Sequence, residues 1–220
     1  MKIAVVETPG WPSPYGPDGT LVPLPKRMRY LHPEALASIA PLAAQGLVFS
    51  DVFRSPAASM QARATKRGVA RPGRSAHNFG LAVDLDVARS IRAAGFPIDQ
   101  KAQLDADMLG VGWRCYRSDH KVGASEAWHF TYGARAHGSA AIEDVIAERY
   151  GQAFTYDERT AQEYLAKLRL YVGEIDGAFG PQSRAALEVF QRGWDLERRG
   201  LSPETMRLLA VCAADLEVVP

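Results

Sequence analysis

Two short stretches of the chain carry side chains that together could bind a metal ion. In the first, His77 precedes a turn at Gly80 and a strand-like run in which Asp84 alternates with apolar residues. In the second, EAWHF, Glu126 stands three positions before His129. A zinc hydrolase commonly uses two histidines and a carboxylate as ligands, leaves a fourth position for water, and needs a base beside that water. The two stretches supply this set of residues.

The elements around these residues must bring them together. LAVDLD reads as a strand whose apolar residues share one face, so Asp84 lies on the opposite face with Asp86, and that face can open onto a cavity. In AWHFTYG, His129 lies on the face opposite the aromatic residues, and these, Trp128 included, are expected to pack inward. On a straight strand Glu126 would point away from His129. The hypothesis therefore requires a loop or a bend at Glu126.

Each of these residues also has an ordinary structural interpretation. His77 could cap a turn, Asp84 could pair with an arginine, and His129 could be a hydrogen-bonded histidine of the core. The combination of two histidines, a strand carboxylate and a spare glutamate favours the metal site over these alternatives.

The two stretches also resemble known motifs. SAHNFGLAVD, residues 75–84, is similar to the SxHxxGxAxD motif of the zinc D-alanyl-D-alanine carboxypeptidase and L-alanyl-D-glutamate peptidase family, and EAWH resembles its ExWH motif. The resemblance covers roughly residues 30–150. It implies that His77, Asp84 and His129 bind Zn²⁺ and that Glu126 is the general base, which takes the water proton and passes it to the leaving amine.

Three further residues resemble substrate-binding positions of that family. Arg54 and Gln61 resemble an arginine at a strand end and the glutamine that follows it, and Ser75 lies in the first motif. The resemblance implies that Arg54 holds a carboxylate or the developing oxyanion, and that Gln61 and Ser75 contact the substrate. The alternative for Arg54 is a surface ion pair.

The last seventy residues read as three short helices. Thr160 and Glu163 form a capping-box pattern before the first helix. Pro181 begins the second helix, and Ser202-Pro203 begins the third. The tail is therefore expected to be a small helical bundle.

This tail resembles the three-helix peptidoglycan-binding domain of many cell-wall hydrolases. The resemblance rests on DGAFGP, AA and FQ within residues 176–191. Ser183 stands where the family usually has threonine, and Arg199-Gly200 replaces the usual DG before the last helix. The resemblance implies that the tail binds peptidoglycan, and the alternative is a bundle that only stabilises the enzyme.

These patterns predict two domains of an α+β protein. Residues 1–150 form the zinc peptidase domain, a small antiparallel sheet with flanking helices that by resemblance is D,D-peptidase-like or hedgehog-like, and residues 1–29 are its proline-rich arm. Residues 151–220 form the small all-α three-helix domain. Cys115 and Cys212 are expected to be two separate structural thiols.

Composition excludes several classes of protein. Lys and Arg number 26 against 25 Asp and Glu, which argues against a nucleic-acid partner. No segment has the length and hydropathy for membrane insertion, and the N-terminus lacks the features of a signal peptide. We expect a monomer that is made in the cytoplasm and acts on the cell wall, in the periplasm or outside the cell, after release. The basic run from Arg63 to Arg74 is either a solvated surface or a rim that attracts an anionic polymer.

One function and two alternatives follow. The expected function is that of an endolysin-like zinc metallopeptidase that hydrolyses a peptidoglycan stem peptide, with the L-alanyl-D-glutamate bond as first choice. The alternatives are a D-alanyl-D-alanine carboxypeptidase or dipeptidase of cell-wall maturation, and a non-catalytic zinc-containing wall-binding protein. Glu126 argues against the last, because a structural zinc site needs no base.

Overall fold

A computed structural model describes residues 1–66, 68–95, 100–197 and 200–220 of the chain. Arg67 and Arg199, which the basic run and the tail pattern include, lie outside these residues. The chain divides into two compact units. The first, here the sheet unit, comprises Ile3–Ser55, Arg74–Ile146 and Leu216–Pro220, and the second, the helical unit, comprises Met1–Lys2, Pro56–Gly73 and Ala147–Asp215.

The described residues form nine strands and eight α-helices, and they confirm the α+β class. The strands are β1 Lys2–Glu7, β2 Pro12–Ser13, β3 Val22–Pro23, β4 Tyr30–Leu31, β5 Phe49–Asp51, β6 Ala82–Leu85, β7 Trp113–Cys115, β8 His129–Tyr132 and β9 Asp215–Val218. The helices are α1 Pro33–Ala43, α2 Pro56–Thr65, α3 Val87–Ala93, α4 Lys101–Gly110, α5 Ser139–Tyr150, α6 Glu158–Lys167, α7 Pro181–Gly193 and α8 Pro203–Cys212.

The centre of the sheet unit is a four-stranded antiparallel sheet. Its strand order is β5-β6-β8-β7, and the predicted strand LAVDLD becomes the inner strand β6. Val83 and Leu85 of β6 and Phe130 of β8 are buried in one hydrophobic core with residues of α1 and α4. Burial of this apolar face leaves the other face of β6 and β8 for polar side chains.

The proline-rich arm contains a short hairpin that packs on this sheet. Strands β2 and β3 pair antiparallel, with Ser13 opposite Val22, and β2 packs against β5. The Trp11 ring stacks on the Phe49 ring with centroids 4.2 Å apart. Leu24 is fully buried, and its N–H donates to the Trp11 carbonyl over 2.8 Å. The proline-rich arm thus includes a short hairpin, and the aromatic ring of Trp11 fixes this hairpin to the core.

The helical unit contains α2 and the three predicted helices of the tail. The helices at Pro181 and Ser202-Pro203 begin as predicted, and the Ser202 hydroxyl accepts the Thr205 N–H over 3.1 Å. The predicted capping box at Thr160 and Glu163 is wrong. Both residues lie inside α6, and Asp157 is the cap, because its carboxylate accepts the N–H groups of the first turn.

Gln162 of α6 holds the loop between α6 and α7 in place. Its buried side-chain amide donates to the Asp176 carboxylate and the Ser183 hydroxyl, both over 3.0 Å, and accepts the Gly177 N–H over 2.8 Å. Gly177 has φ +82°, a conformation that favours glycine. Ser183 therefore supplies the hydroxyl of this network at the position where threonine was expected.

Two further predictions concern the whole chain. Cys115 and Cys212 are both free thiols, as expected. None of the helices in the described part of the chain combines the length and the apolar character that a membrane span requires.

Candidate metal centre

The strand register brings two of the predicted ligands together. Asp84 of β6 is directly opposite His129 of β8 on one side and Asp51 of β5 on the other. Side chains opposite one another on neighbouring antiparallel strands point to the same face of the sheet. Asp84 therefore lies at the middle of a polar row across three strands.

His77 reaches this row through a tight turn. It lies in a 3-10 turn, Ala76–Phe79, that ends at Gly80 with φ +66°. A Cβ atom on Gly80 would lie 2.7 Å from the backbone nitrogen of His32, so only glycine fits. The Nδ1 atom of His77 is 2.6 Å from the Val52 carbonyl oxygen. That carbonyl accepts the Nδ1 proton, so Nε2, which is 3.2 Å from Asp84 Oδ1, is the nitrogen that could offer a lone pair to a metal ion.

His129 meets the same carboxylate oxygen from the other side. Its Nδ1 atom is 2.8 Å from Asp84 Oδ1, and its Nε2 atom is 3.2 Å from the Thr131 hydroxyl. Both histidines are buried, and their ring centroids are 5.0 Å apart. Thr131 thus orients His129 as the Val52 carbonyl orients His77.

This donor set fits a metal ion. One ligand atom from each of His77, Asp84 and His129 lies within 4.8 Å of the others. Ligands at zinc distances and tetrahedral angles lie about 3.3 Å apart, which is close to the two separations from Asp84. The group could therefore hold a metal ion, and its nitrogen and oxygen donors suit zinc and other divalent transition metals. The two exposed histidines, His120 and His137, have other hydrogen-bond partners. His120 contacts Asp105 over 2.7 Å, and His137 contacts the Cys115 carbonyl over 2.8 Å.

Without a metal, the cluster stabilises the ionised form of Asp84 and the protonated form of His77. Burial raises the pKa of the Asp84 carboxyl, but the His77 charge and the hydrogen bonds from both histidines outweigh burial and hold that pKa well below its usual range. Burial lowers the pKa of the His77 imidazole, and the nearby Asp84 charge and hydrogen bond raise it to a net value above that of an ordinary histidine. The metal-free cluster therefore favours an imidazolium beside a carboxylate, and a bound cation replaces that proton.

Arg54 lies at the edge of the cluster. Its guanidinium pairs with Asp51, through Nε over 2.8 Å and also through Nη2, and Nη2 is 3.6 Å from Asp84 Oδ2. Its backbone N–H donates to the His77 carbonyl over 3.2 Å, and its carbonyl accepts the Asn78 amide over 2.6 Å. The side chains of Arg54 and Asp51 are only 17% and 13% exposed, so this is not the surface ion pair of the alternative interpretation.

Asp51 is a member of this site that motif analysis missed. One carboxylate oxygen pairs with Arg54, whereas Oδ1 is buried without a hydrogen-bond partner among the described residues. A single aspartate before an arginine carries no distinctive spacing. The signal that could have found Asp51 is its register opposite Asp84, which depends on how the two strands pair.

Glu126 lies in the bend that the metal hypothesis requires. It precedes β8 in a turn, its carbonyl accepts the His129 N–H over 3.2 Å, and its φ of +61° is rare for a residue with a side chain. Such a conformation costs about 1 kcal/mol or more and is frequent at functional sites. The half-buried Glu126 carboxylate makes no hydrogen bond or ion pair to any residue that the structure describes.

The other two predicted substrate residues differ in their surroundings. Ser75 is buried and precedes the 3-10 turn of His77. Gln61 is exposed on α2, which belongs to the helical unit. The sheet unit thus contains six of the predicted site residues, namely Arg54, Ser75, His77, Asp84, Glu126 and His129.

Two local predictions around the motifs were wrong. Asp86 does not share the open face with Asp84, because it follows the last residue of β6 and caps α3 by accepting the Arg89 N–H over 3.0 Å. Trp128 does not pack inward, because the strand begins only at His129 and the indole stays 39% exposed.

Three arginines of the basic run between Arg63 and Arg74 form ion pairs or hydrogen bonds with other residues of the protein. Arg71 pairs with Glu204 over 2.7 Å, Arg74 lies 3.5 Å from Glu143, and Arg63 donates to a backbone carbonyl over 3.0 Å. These contacts favour the interpretation as an ordinary polar surface over that of a binding rim.

Comparison with known protein families gives a match in the tail. A family model described as "Putative peptidoglycan binding domain" matches residues 157–198, which include α6 and α7. No curated protein matches the chain. The match supports a cell-wall-associated protein with peptidoglycan as its partner.

Proposed function

We propose that the protein is a zinc-dependent peptidase that hydrolyses a stem-peptide bond of peptidoglycan. The observation that carries the proposal is the grouping of His77, Asp84 and His129 on a sheet face, in a chain whose tail matches a peptidoglycan-binding family. Each ligand has its own oriented partner, as metal ligands usually do. The motif resemblance supports the same reading.

The residues around the cluster have distinct roles in this proposal. His77, Asp84 and His129 would hold the zinc ion, which when bound would supply a coordinated water with a pKa of about 7 and polarisation of the substrate carbonyl. Glu126 accepts the proton of the attacking water and passes it to the leaving amine. The Arg54 guanidinium, held by Asp51, attracts the substrate carboxylate or the oxyanion that develops on the carbonyl oxygen.

The proposed bond is the internal L-alanyl-D-glutamate bond. Both this reaction and removal of a terminal D-alanine would use the same site, so the motifs do not separate them. The tail favours an internal bond, because binding to an insoluble polymer raises the effective concentration of enzyme at bonds within that polymer.

The ligand set can be tested with two neighbouring aspartates. Asp84→Asn should abolish zinc binding and the release of new amino groups from purified sacculi. Asp86→Asn is the matched control, because asparagine caps a helix about as well as aspartate, and it should keep both properties. Elemental analysis and amino-group release are measured on both variants. Full zinc occupancy in Asp84→Asn would remove Asp84 from the ligand set.

A further inference from the structure

A buried ion pair of α4 contacts the loop that carries Glu126. Lys101 and Asp105, one helical turn apart, are 1% and 7% exposed and pair with each other. A buried ion pair often adds no more stability than apolar residues of the same size would, so the groups that it holds give a better account of its presence. Those groups belong to the end of β7 and to the loop between β7 and β8, residues 116–128.

The pair holds the loop at one point through His120. The Nδ1 atom of His120 donates to Asp105 Oδ2 over 2.7 Å, because an ionised carboxylate can only accept, and Lys101 binds the other carboxylate oxygen. His120 has φ +52°, a conformation that is rare for residues with a side chain and persists where surrounding contacts impose it. The hydrogen bond to Asp105 is such a contact.

The pair also reaches the residue that follows Glu126. Lys101 Nζ lies 3.5 Å from Cys115 Sγ, which in turn lies 3.5 Å from the Ala127 carbonyl oxygen. Burial raises the pKa of the Cys115 thiol, and the Lys101 charge lowers it by less, so the thiol keeps its proton and donates to that carbonyl. The segment from residue 120 to residue 127 is therefore fixed to the same ion pair at both ends.

Successive turns connect these two points through Glu126. The Ala124 N–H donates to the Lys121 carbonyl over 3.2 Å, and the Ala127 N–H donates to the Ala124 carbonyl over 3.1 Å. The Glu126 carbonyl then accepts the N–H of His129, the first residue of β8. A shift at the start of the segment is therefore passed along these turns to Glu126.

We propose that His120 is a positioning residue, which through Asp105 and Lys101 holds the turn of Glu126 so that its carboxylate can take the proton of the attacking water. This inference rests on the proposed function and deepens it. Lys101 Nζ lies 4.9 Å from the centre of the Phe130 ring, which belongs to the core. The network therefore acts on Glu126 from the core side of the sheet, opposite the face that carries the metal cluster.

The first test compares variants of the full-length, zinc-loaded protein with a soluble stem peptide. His120→Gly removes the side chain without strain at positive φ, and it should lower kcat about 10-fold, part of the ~10²-fold effect of a general base, with KM and zinc content unchanged. His120→Asn should restore most of the rate, because its amide can donate to Asp105. Lys121→Gly, the same change at the exposed neighbouring residue, is the matched control and should keep wild-type kinetics. A kcat for His120→Gly within about twofold of wild type would overturn the inference.

A double-mutant cycle separates positioning of Glu126 from a general loss of structure. In Glu126→Asn protein the contribution of the base is already gone, so adding His120→Gly should change kcat by less than about twofold. A further fall of about 10-fold in the double variant would show that His120 acts on another part of the site, and the assignment would be wrong.

Amide hydrogen exchange separates this inference from the proposed function. The His129 N–H donates to the Glu126 carbonyl, so its exchange should be about 10-fold faster in His120→Gly than in Lys121→Gly. If wild type cleaves nothing but this increase is seen, the proposed reaction is wrong and the anchoring of the loop by His120 stands. If wild type cleaves and neither exchange nor kcat responds to His120→Gly, only the inference is wrong. Absence of both cleavage and the increase in exchange would overturn both.

Discussion

At the scale of residues, one carboxylate oxygen of Asp84, Oδ1, contacts the imidazoles of both histidines of the candidate site. His77 Nε2 and His129 Nδ1 lie 3.2 Å and 2.8 Å from it. Burial lowers the pKa of His77, but the charge and the hydrogen bond of Asp84 outweigh burial and raise it, so the proton that His77 retains affects both folding and metal binding. The stability of the metal-free protein should therefore depend on pH through this cluster.

The sign of that dependence follows from the raised pKa of His77. A group whose pKa is higher in the folded state stabilises that state fully below its unfolded pKa, about 6.5 for histidine, and loses this contribution as pH rises through the folded value. The melting-temperature difference between metal-free wild type and His77→Gln should thus be larger near pH 6 than near pH 9. Calorimetry of both proteins measures it, and a difference that grows with pH would contradict the assignment.

Zinc affinity should show the opposite trend. The ion competes with the proton that the raised pKa of His77 retains, so affinity falls as pH decreases through that value. Zinc titrations with a competing chelator at several pH values measure this effect. An affinity that does not change between about pH 6 and pH 8 would show that His77 is not a ligand.

Glu126 offers a substitution that separates chemistry from folding. Asparagine tolerates positive φ better than glutamate, so Glu126→Asn removes the carboxylate without adding strain at φ +61°. The rate should fall at least ~10²-fold, the usual scale for a general base. Zinc content and melting temperature should not fall. Comparable activity in this variant would remove Glu126 from the mechanism.

Sequence identified the three residues of the group that could hold a metal ion because each stands in a motif with fixed local spacing. It also identified the need for a bend at Glu126, from the period of a strand. Asp51 could not be found in this way. It reaches the cluster through the pairing of β5 with β6, which is a tertiary contact without a local pattern.

At the scale of elements, the helices with proline starts and the two strands that carry the motifs were predictable, whereas strand β7 was not. Strand β7 has three residues, too few to show a period, and its pairing with β8 defines it. The cap of α6 was misplaced because two capping patterns overlap, and Asp157 precedes the Thr160 pattern by three positions. Asp86 was assigned to the open face for a related reason, since strand alternation continues in the sequence beyond the point where β6 ends.

The loop between α6 and α7 should depend on Gln162. Gln162→Ala leaves its buried partners, among them Asp176 and Ser183, without their hydrogen bonds. We expect a loss of about 2–4 kcal/mol in the free energy of unfolding. The neighbouring Glu163→Ala is the control, because Glu163 is exposed and its pair with Arg159 at 3.7 Å should contribute less than about 1 kcal/mol. Chemical denaturation measures both, and equal losses would contradict the role of Gln162.

At the scale of the whole molecule, wall binding and hydrolysis should separate. Zinc-loaded Glu126→Asn should sediment with insoluble sacculi as wild type does, because the tail is intact. Gln162→Ala should lose sedimentation and keep hydrolysis of small soluble stem peptides. Loss of wall binding in Glu126→Asn would instead place the wall-binding surface at the candidate metal site.

Point variants suit this test better than removal of the tail. The helical unit contains Pro56–Gly73 together with Ala147–Asp215, and Arg71 pairs there with Glu204. A chain that ends at Tyr150 would leave Arg71 without Glu204 and would lack β9. Its loss of wall binding would then have two explanations.

The most direct test of the proposed function is mass spectrometry of purified sacculi digested by the zinc-loaded protein. The proposal predicts stem peptides with new D-glutamate amino termini, which are absent after chelation and absent with Glu126→Asn. Free D-alanine as the only product would contradict the proposed bond and indicate a carboxypeptidase. Sacculi whose stem peptides are all intact after digestion by zinc-loaded wild type would contradict the peptidase itself.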